Sequence, residues 1–205
     1  MEIIDYIKKY PLREFRKGDI LLSEGQQSAR LFALVHGYIK VTSIHDDGSE
    51  KLLWIEGRYD IAPTEKLFSL SGELSFFYTA LSDGSYYDID KSEFIAKAKA
   101  DPAFMAEVAN SMSDHYDDLL KRVDSIGQTS IREKLVATLR YIAERFSASD
   151  QVDLFELGLK LTHSDIAAMI GSTRETTSLE LHALKDAGLI DYDRTKFIVN
   201  LSKMT

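Results

Sequence analysis

The stretch Leu161–Ile190, LTHSDIAAMIGSTRETTSLELHALKDAGLI, decides how this chain is read. Thr162 and Asp165 have the T-x-x-D spacing of a capping box, in which each side chain satisfies a backbone donor at a helix start. Ile166, Ala167 and Ile170 then share one helical face. Gly171 marks a turn where a side chain would strain the backbone. Ser172 and Glu175 repeat the box as S-x-x-E and predict a second helix start. Thr177, Leu181 and Leu184 form that helix's buried stripe, Lys185 lies in its last turns, and Gly188 ends it.

This pattern leaves Arg174, Glu175, Ser178 and Leu179 on the opposite face, near the start of the second helix. In a helix-turn-helix, that end enters the major groove. Arginine donates two bonds to guanine O6 and N7, glutamate accepts from cytosine N4, and leucine meets a thymine methyl. Ser164, Thr173 and Thr176 are short donors suited to phosphate beside positive helix ends. Two plainer roles stay open: Glu175 as a cap alone and Arg174 as a solvated charge. After the stretch, LIDYDRTKFIVNL reads as a hairpin turning near Asp193 and Arg194, which adds a wing.

Working outward, the 205 residues are 44% hydrophobic, enough for one or two cored domains. The absence of cysteine excludes disulfides, cysteine-held iron–sulfur clusters and thiol catalysis. No apolar run approaches the roughly 18 residues of a membrane span. The opening MEIIDYIKKYPLREF lacks the apolar core of a signal peptide. A cytoplasmic protein is expected, with no membrane partner. The net charge of −8 is unevenly spread, with 15 basic against 22 acidic side chains in 1–126 and 10 against 11 in 127–205. The second half is thus nearly neutral and suited to a local basic patch, while the first half repels phosphate.

Residues 13–95 are punctuated by Gly18, Gly25, Gly37, Gly48 and Gly57, with β-rich runs between them: DILL, RLFALVHGYIKVTSI, KLLWI, LSFFYTAL and SYYDI. HDDGSE supplies an Asp-Gly hairpin turn. Many short strands at regular spacing predict a sandwich or barrel. At Asp101-Pro102 the period changes, with an N-cap followed by proline at the first helical position. Met105, Val108, Met112, His115, Tyr116, Leu119, Val123 and Ile126 then recur at the spacing of a coiled-coil seam between two chains. The plainer alternative is a helix lying on its own β domain. IREKLVATLRYIAERF is a further amphipathic helix.

These features together resemble the Crp/Fnr family of bacterial transcription regulators over nearly the whole chain. KGDILLSEGQQSARLFALVHGYIKV is similar to the family's effector-binding β-roll, DPAFMAEVANSMSDHYDDLLKRVDSI occupies the place of its dimer helix, and the opening stretch matches its winged helix-turn-helix. The implied fold is α+β: a jelly-roll-like β-roll over 1–100, a dimerisation helix over 101–126 and a winged helix-turn-helix domain over 127–205. The implied partners are a second copy of the chain, double-stranded DNA with an inverted-repeat operator and, further, RNA polymerase. By resemblance, Arg174 and Glu175 read bases, and Thr162, His163, Ser164, Thr173 and Thr176 touch phosphates. Two departures stand in the recognition helix: Leu179 where many members carry a second arginine, and Glu180 where a buried aliphatic is usual.

The effector pocket departs further. Cyclic-nucleotide binders hold the phosphate with an Arg-Ser pair, and here Leu74 and Ser75 fall at that place. No arginine lies between Arg58 and Arg122, and IAPTEKLF lacks the Gly-Glu pair expected for the ribose. A buried phosphate without its arginine is poorly compensated, so cyclic AMP is not the expected ligand. Phe68, Phe76, Tyr78, Tyr86 and Tyr87, with Leu70 among them, make this half rich in aromatic and apolar side chains. With Leu74, Ser75, Leu119 and Leu120, the aromatics Phe68, Phe76, Tyr78 and Tyr86 form the candidate pocket. It either takes a small organic or aromatic effector or is filled as ordinary core. No cofactor or metal is expected, and no hydrolase or phosphate-loop motif suggests an enzyme. The competing function is a sensory or scaffold protein whose tail helices bind another protein.

Overall fold

The computed structural model describes residues 2–68, 73–146, 154–193 and 197–204. The elements run as helix α1 (Glu2–Ile7), strands β1 (Leu12–Phe15), β2 (Ile20–Leu22), β3 (Arg30–His36), β4 (Ile39–Ile44), β5 (Glu50–Glu56), β6 (Ile61–Ala62), β7 (Phe77–Ala80) and β8 (Gly84–Asp90), then helices α2 (Lys91–Ala100), α3 (Pro102–Gly127) and α4 (Ile131–Phe146), strand β9 (Leu154–Glu156), helices α5 (His163–Ile170) and α6 (Arg174–Asp186), and strands β10 (Ile190–Tyr192) and β11 (Phe197–Asn200). The chain divides into two compact units, one of residues 1–49 and 53–118, the other of residues 50–52 and 119–205.

The first unit is built on two four-stranded sheets, ordered β1-β8-β3-β6 and β2-β7-β4-β5. The HDDGSE turn forms as expected: Gly48 takes φ 78 and donates its N–H to the His45 carbonyl at 2.8 Å. In β3 the residues Leu31 to Leu34 are all buried instead of alternating. The reason is that both faces are covered. Leu31, Ala33 and Ile89 pack on a helical layer of Ile7, Phe94, Phe104 and Val108. Phe32 instead meets the buried ring of Tyr78 edge-on at 5.7 Å. Such two-sided burial reads in sequence as a continuous apolar run.

The reading of residues 1–100 as β-roll lacked two helices, α1 and α2. Helix α2 is capped by Asp90, whose carboxylate accepts from the Glu93 N–H at 3.0 Å. The Asp101 start of α3 is as expected, with its carboxylate accepting from the Ala103 and Phe104 amides at 3.0 and 3.1 Å.

The seam expectation needs correction at its first turns. Val108 is 2% exposed inside its own unit's core, and Met105 and Met112 pack against that core. His115 is half-buried with its ring 5.8 Å from Trp54. The apolar side chains α3 leaves exposed come later: Tyr116, Leu120, Val123 and Ile126. The same heptad spacing serves two ends, because the β-roll uses the first half of the helix as a lid on β3 and β8. Among the described residues, no helix is long and apolar enough to cross a membrane.

The second unit centres on α4, α5 and α6 with a three-stranded sheet ordered β10-β11-β9. Its core joins Leu135, Leu139 and Ile142 of α4, Ile166 and Ile170 of α5, and Leu181 and Leu184 of α6, all buried. The expected hairpin is formed by β10 and β11 through the pair Tyr192–Phe197. Asp193 lies at its end, and Arg194 falls outside the described residues.

Candidate nucleic-acid interface

The two helices α5 and α6 are set by their caps. Thr162 and Asp165 form the full capping box: the Thr162 hydroxyl accepts from the Asp165 N–H at 3.1 Å, and the Asp165 carboxylate accepts from the Thr162 N–H at 2.9 Å. Gly171 takes φ 66, ψ 40 at the end of α5, a left-handed conformation that favours glycine. The Ser172 N–H donates to the Ala167 carbonyl at 3.1 Å, so Ser172 completes the end of α5.

That bond moves the second cap by one residue. The N-cap of α6 is Thr173, whose hydroxyl accepts from the Thr176 N–H at 3.1 Å. The Ser172–Glu175 box expected from the sequence is therefore not formed. Ser172 is held by α5's exit and cannot also open α6. As a consequence, Glu175 is not a capping partner, and its exposed carboxylate stands in the first turn beside Arg174.

Arg174, Glu175, Thr176 and Leu179 are exposed, Leu179 at 72%. Thr177, Leu181 and Leu184 are each at 0%, as the buried stripe requires. Thr162, Ser164 and Thr173 are exposed at the neighbouring helix starts. The hydroxyls of Thr162 and Thr173 are engaged in caps, which leaves a lone pair but not a free donor for a phosphate. Glu180, unusual at a buried aliphatic position, is half-buried and pairs with Arg132 of α4 at 3.8 Å.

His163 and Ser178 are half-buried and joined. The His163 Nδ1 and Ser178 Oγ lie 2.8 Å apart. The His163 ring is 6.3 Å from His182 and 5.4 Å from Tyr192. Burial holds the His163 imidazole below the ordinary histidine range, helped by the like charges of His182 and Arg174. Lys185 closes the cluster, donating to the Tyr192 carbonyl at 2.7 Å and pairing with Asp191 at 2.8 Å. Sequence reading missed the His163–Ser178 bond, because fifteen positions separate the partners and only the helix crossing brings them together.

A buried charge lies behind this surface. The Arg122 guanidinium of α3 donates to the Ser125 hydroxyl at 3.0 Å and to the Met169 carbonyl at the end of α5. Burial lowers its pKa to about 10. The arginine that breaks the apolar pattern of α3 is the sequence signal for it.

The residues assigned to an effector pocket are placed as follows. Tyr78 is at 0% exposure, and its hydroxyl donates to Glu65 at 2.8 Å. Burial raises its pKa far above the ordinary phenol value, with the charges of Glu65 and Glu56 adding to it. Leu74 is buried, while Ser75 beside it is exposed. Phe76 meets Trp54 edge-on at 5.4 Å, and the Trp54 indole N–H donates to Glu56 at 2.9 Å. Tyr86 packs on Phe15 and Phe32, and Phe68 is exposed at 39%. Leu119 and Leu120 belong to the second unit, half-buried and exposed respectively. Leu70 lies outside the described residues.

Comparison with known proteins agrees with this architecture. A family model for the cyclic nucleotide-binding domain matches residues 12–101, and one for the Crp-like helix-turn-helix domain matches residues 133–204. The chain is 22% identical over 187 residues to the anaerobic regulatory protein of Bacillus subtilis, covering 91% of this chain and 78% of that protein. It is 22% identical over 185 residues to the cAMP-activated global transcriptional regulator CRP of Salmonella typhimurium, covering 90% and 85%. The structure of FixK2 from Bradyrhizobium japonicum shares the fold with a TM-score of 0.79 at 18% identity, covering 95% of each chain. These relatives are regulators, not enzymes. With an effector-type β-roll, a long helix and a winged helix-turn-helix in that order on one chain, the protein belongs to the Crp/Fnr family of transcriptional regulators.

Proposed function

We propose that the protein is a homodimeric, sequence-specific regulator that reads inverted-repeat half-sites in duplex DNA and answers to a small non-nucleotide effector, or to none. The observation that carries the DNA reading is the first turn of α6. Arg174 and Glu175 stand free of the capping network at the exposed N-terminal end of a helix whose other face is buried in α4 and α5. Arg174 reads guanine, Glu175 accepts from a cytosine or adenine amine, and Leu179 meets a thymine methyl. Ser164 and Thr176 contact phosphates at the positive ends of α5 and α6. Thr162 and Thr173 preset those ends, and His163 and Ser178 complete the face.

Homodimerisation is supported by Tyr116, Leu120, Val123 and Ile126, which return at spacings of three and four and stay exposed. An apolar stripe of this kind is a coiled-coil surface awaiting its partner helix. Two recognition helices related by a two-fold axis then meet half-sites about one helical turn, roughly 34 Å, apart. RNA polymerase, bound in the cytoplasm, is the further partner that this mode of action calls for.

The residues present do not fit a cyclic phosphate. Leu74 and Ser75 occupy the place of the Arg-Ser pair, and the buried Glu56 and exposed Glu65 carboxylates both act on the neighbouring Tyr78. A phosphate there gains no guanidinium and meets like charge. An uncharged organic effector avoids both costs.

The test is binding of the full-length protein to fragments of its own genome, with Arg174→Ala in parallel. Salt-sensitive enrichment of inverted repeats, lost in the variant, is expected. Enrichment of no sequence, or of sequences indifferent to Arg174, overturns the reading.

A further inference from the structure

We propose that His163 sets the hydrogen-bonding sense of Ser178, so that the base preferred by α6 opposite Ser178 depends on whether His163 carries a proton. The inference rests on the proposed reading of DNA by α6 and goes beyond it by naming a positioning residue for one base contact.

The geometry supplies the coupling. Ser178 lies one turn after Arg174 on the same face of α6, half-buried, and its hydroxyl is 2.8 Å from His163 Nδ1. A hydroxyl has one hydrogen and two lone pairs, whereas a charged imidazolium only donates. When His163 is charged, Nδ1–H donates to Ser178 Oγ, and the Ser178 hydrogen turns outward. Ser178 then donates to purine N7, guanine O6 or thymine O4. When His163 is neutral with its proton on Nε2, Nδ1 takes the Ser178 hydrogen. Only lone pairs remain outward, and Ser178 accepts from adenine N6 or cytosine N4. One proton behind the helix thus exchanges the class of base that fits in front of it.

The surroundings decide which state prevails. From α6, the His182 ring lies 6.3 Å away and the Arg174 guanidinium opposes a second positive charge on His163, and Lys185 lies further along the same stripe. From β10, Tyr192 offers a ring edge at 5.4 Å, and Asp191 is occupied by Lys185 at 2.8 Å. On α5 itself, the Asp165 carboxylate is bonded to the Thr162 amide and hydroxyl. The free protein therefore keeps His163 neutral at a pH where an ordinary histidine is already partly charged. Duplex phosphates bring negative charge to this face and favour the proton. Burial and neighbouring charge thus oppose the proton in the free protein, and the phosphates of a bound duplex favour it.

The experiment is selection from a random-sequence duplex pool by the full-length protein at about pH 6 and about pH 8, at fixed salt, for the native chain, His163→Gln and Ser178→Ala. In the native chain, one position of each half-site is expected to change from guanine or thymine, which present only acceptors, at the lower pH to cytosine, which presents only a donor, at the higher, with adenine, which presents both, accepted at either. The preference is about three- to tenfold in each direction, the worth of one hydrogen bond. Both variants lose the change, because the glutamine amide does not ionise and alanine has no hydroxyl. A native preference identical at the two pH values overturns the inference, as does a change that survives in Ser178→Ala. Selection of no sequence at either pH overturns the DNA reading itself and this inference with it. Nitrogen NMR of the His163 ring in the free protein tests it without variants. The Nε2–H tautomer is expected above neutrality, and an Nδ1–H tautomer there overturns the proposal, since the ring then donates to Ser178 in both states.

Discussion

Arg174 and its neighbours show how much a one-residue shift of a cap matters. Thr173, not Ser172, accepts the first free amide of α6. Thr173→Ala is expected to cost about 1 kcal/mol of stability, the worth of an N-cap, while Ser172→Ala costs far less; urea unfolding of the two variants checks the order. Arg174→Ala is expected to lose about 1–3 kcal/mol of affinity for a guanine-containing site, and fluorescence anisotropy should find less loss on unrelated DNA. Asp101 carries a pH signature. The Lys97 ammonium, then the amides of Phe104 and Ala103, hold its carboxyl below the ordinary value of 3.8. The folded value lies below the unfolded one, so this stabilisation is complete above the unfolded value and is lost as pH falls through the folded one. Melting temperatures of the native chain and Asp101→Asn should therefore differ at neutral pH and converge in acid. At this scale the sequence was legible at the Thr162–Asp165 box and at Asp101, where a side chain caps its own helix. It misplaced the α6 cap because Ser172 and Thr173 are equally good caps in isolation, and the Ser172 bond to Ala167 chooses between them.

Among the elements, α3 carries two burial patterns on one apolar repeat. Phe104 and Val108 cover the β3–β8 face, and Tyr116, Leu120, Val123 and Ile126 remain outside. Val123→Asp is expected to convert the proposed dimer into a monomer without lowering its helicity, as read by light scattering and circular dichroism; a variant that stays dimeric places the interface elsewhere. Strand β8 begins at a glycine for reasons of space. A Cβ at Gly84 would lie 2.3 Å from the His36 carbonyl oxygen and 2.4 Å from the Phe15 ring. Gly84→Ala must move backbone or ring and is expected to cost about 1–3 kcal/mol, measured by thermal unfolding. Helix α2 escaped sequence reading because Phe94, Ile95 and Ala98 form too short a patch among lysines to mark a period. Strand β3 was legible only as an apolar run, since helices cover one face and the second sheet the other.

For the whole molecule, charge and function divide alike. The acidic first 126 residues do not attract phosphate, whereas the nearly neutral remainder carries the recognition surface. Because a ligand that binds only the folded protein must raise its stability, millimolar cyclic AMP is expected to shift neither the melting temperature nor the affinity for a selected operator. A shift of several degrees would return the β-roll to the nucleotide-binding members of the family.

Local chemistry in the sequence determined the helix-turn-helix, the turn glycines, the long helix and the missing phosphate arginine. Each depends on side chains within a few residues of one another or on the presence of one functional group. Tertiary structure alone decided which half of α3 is core, which residue caps α6, and that His163 meets Ser178. These outcomes depend on competition between groups for the same partner or the same space, and only the packed chain brings the competitors together.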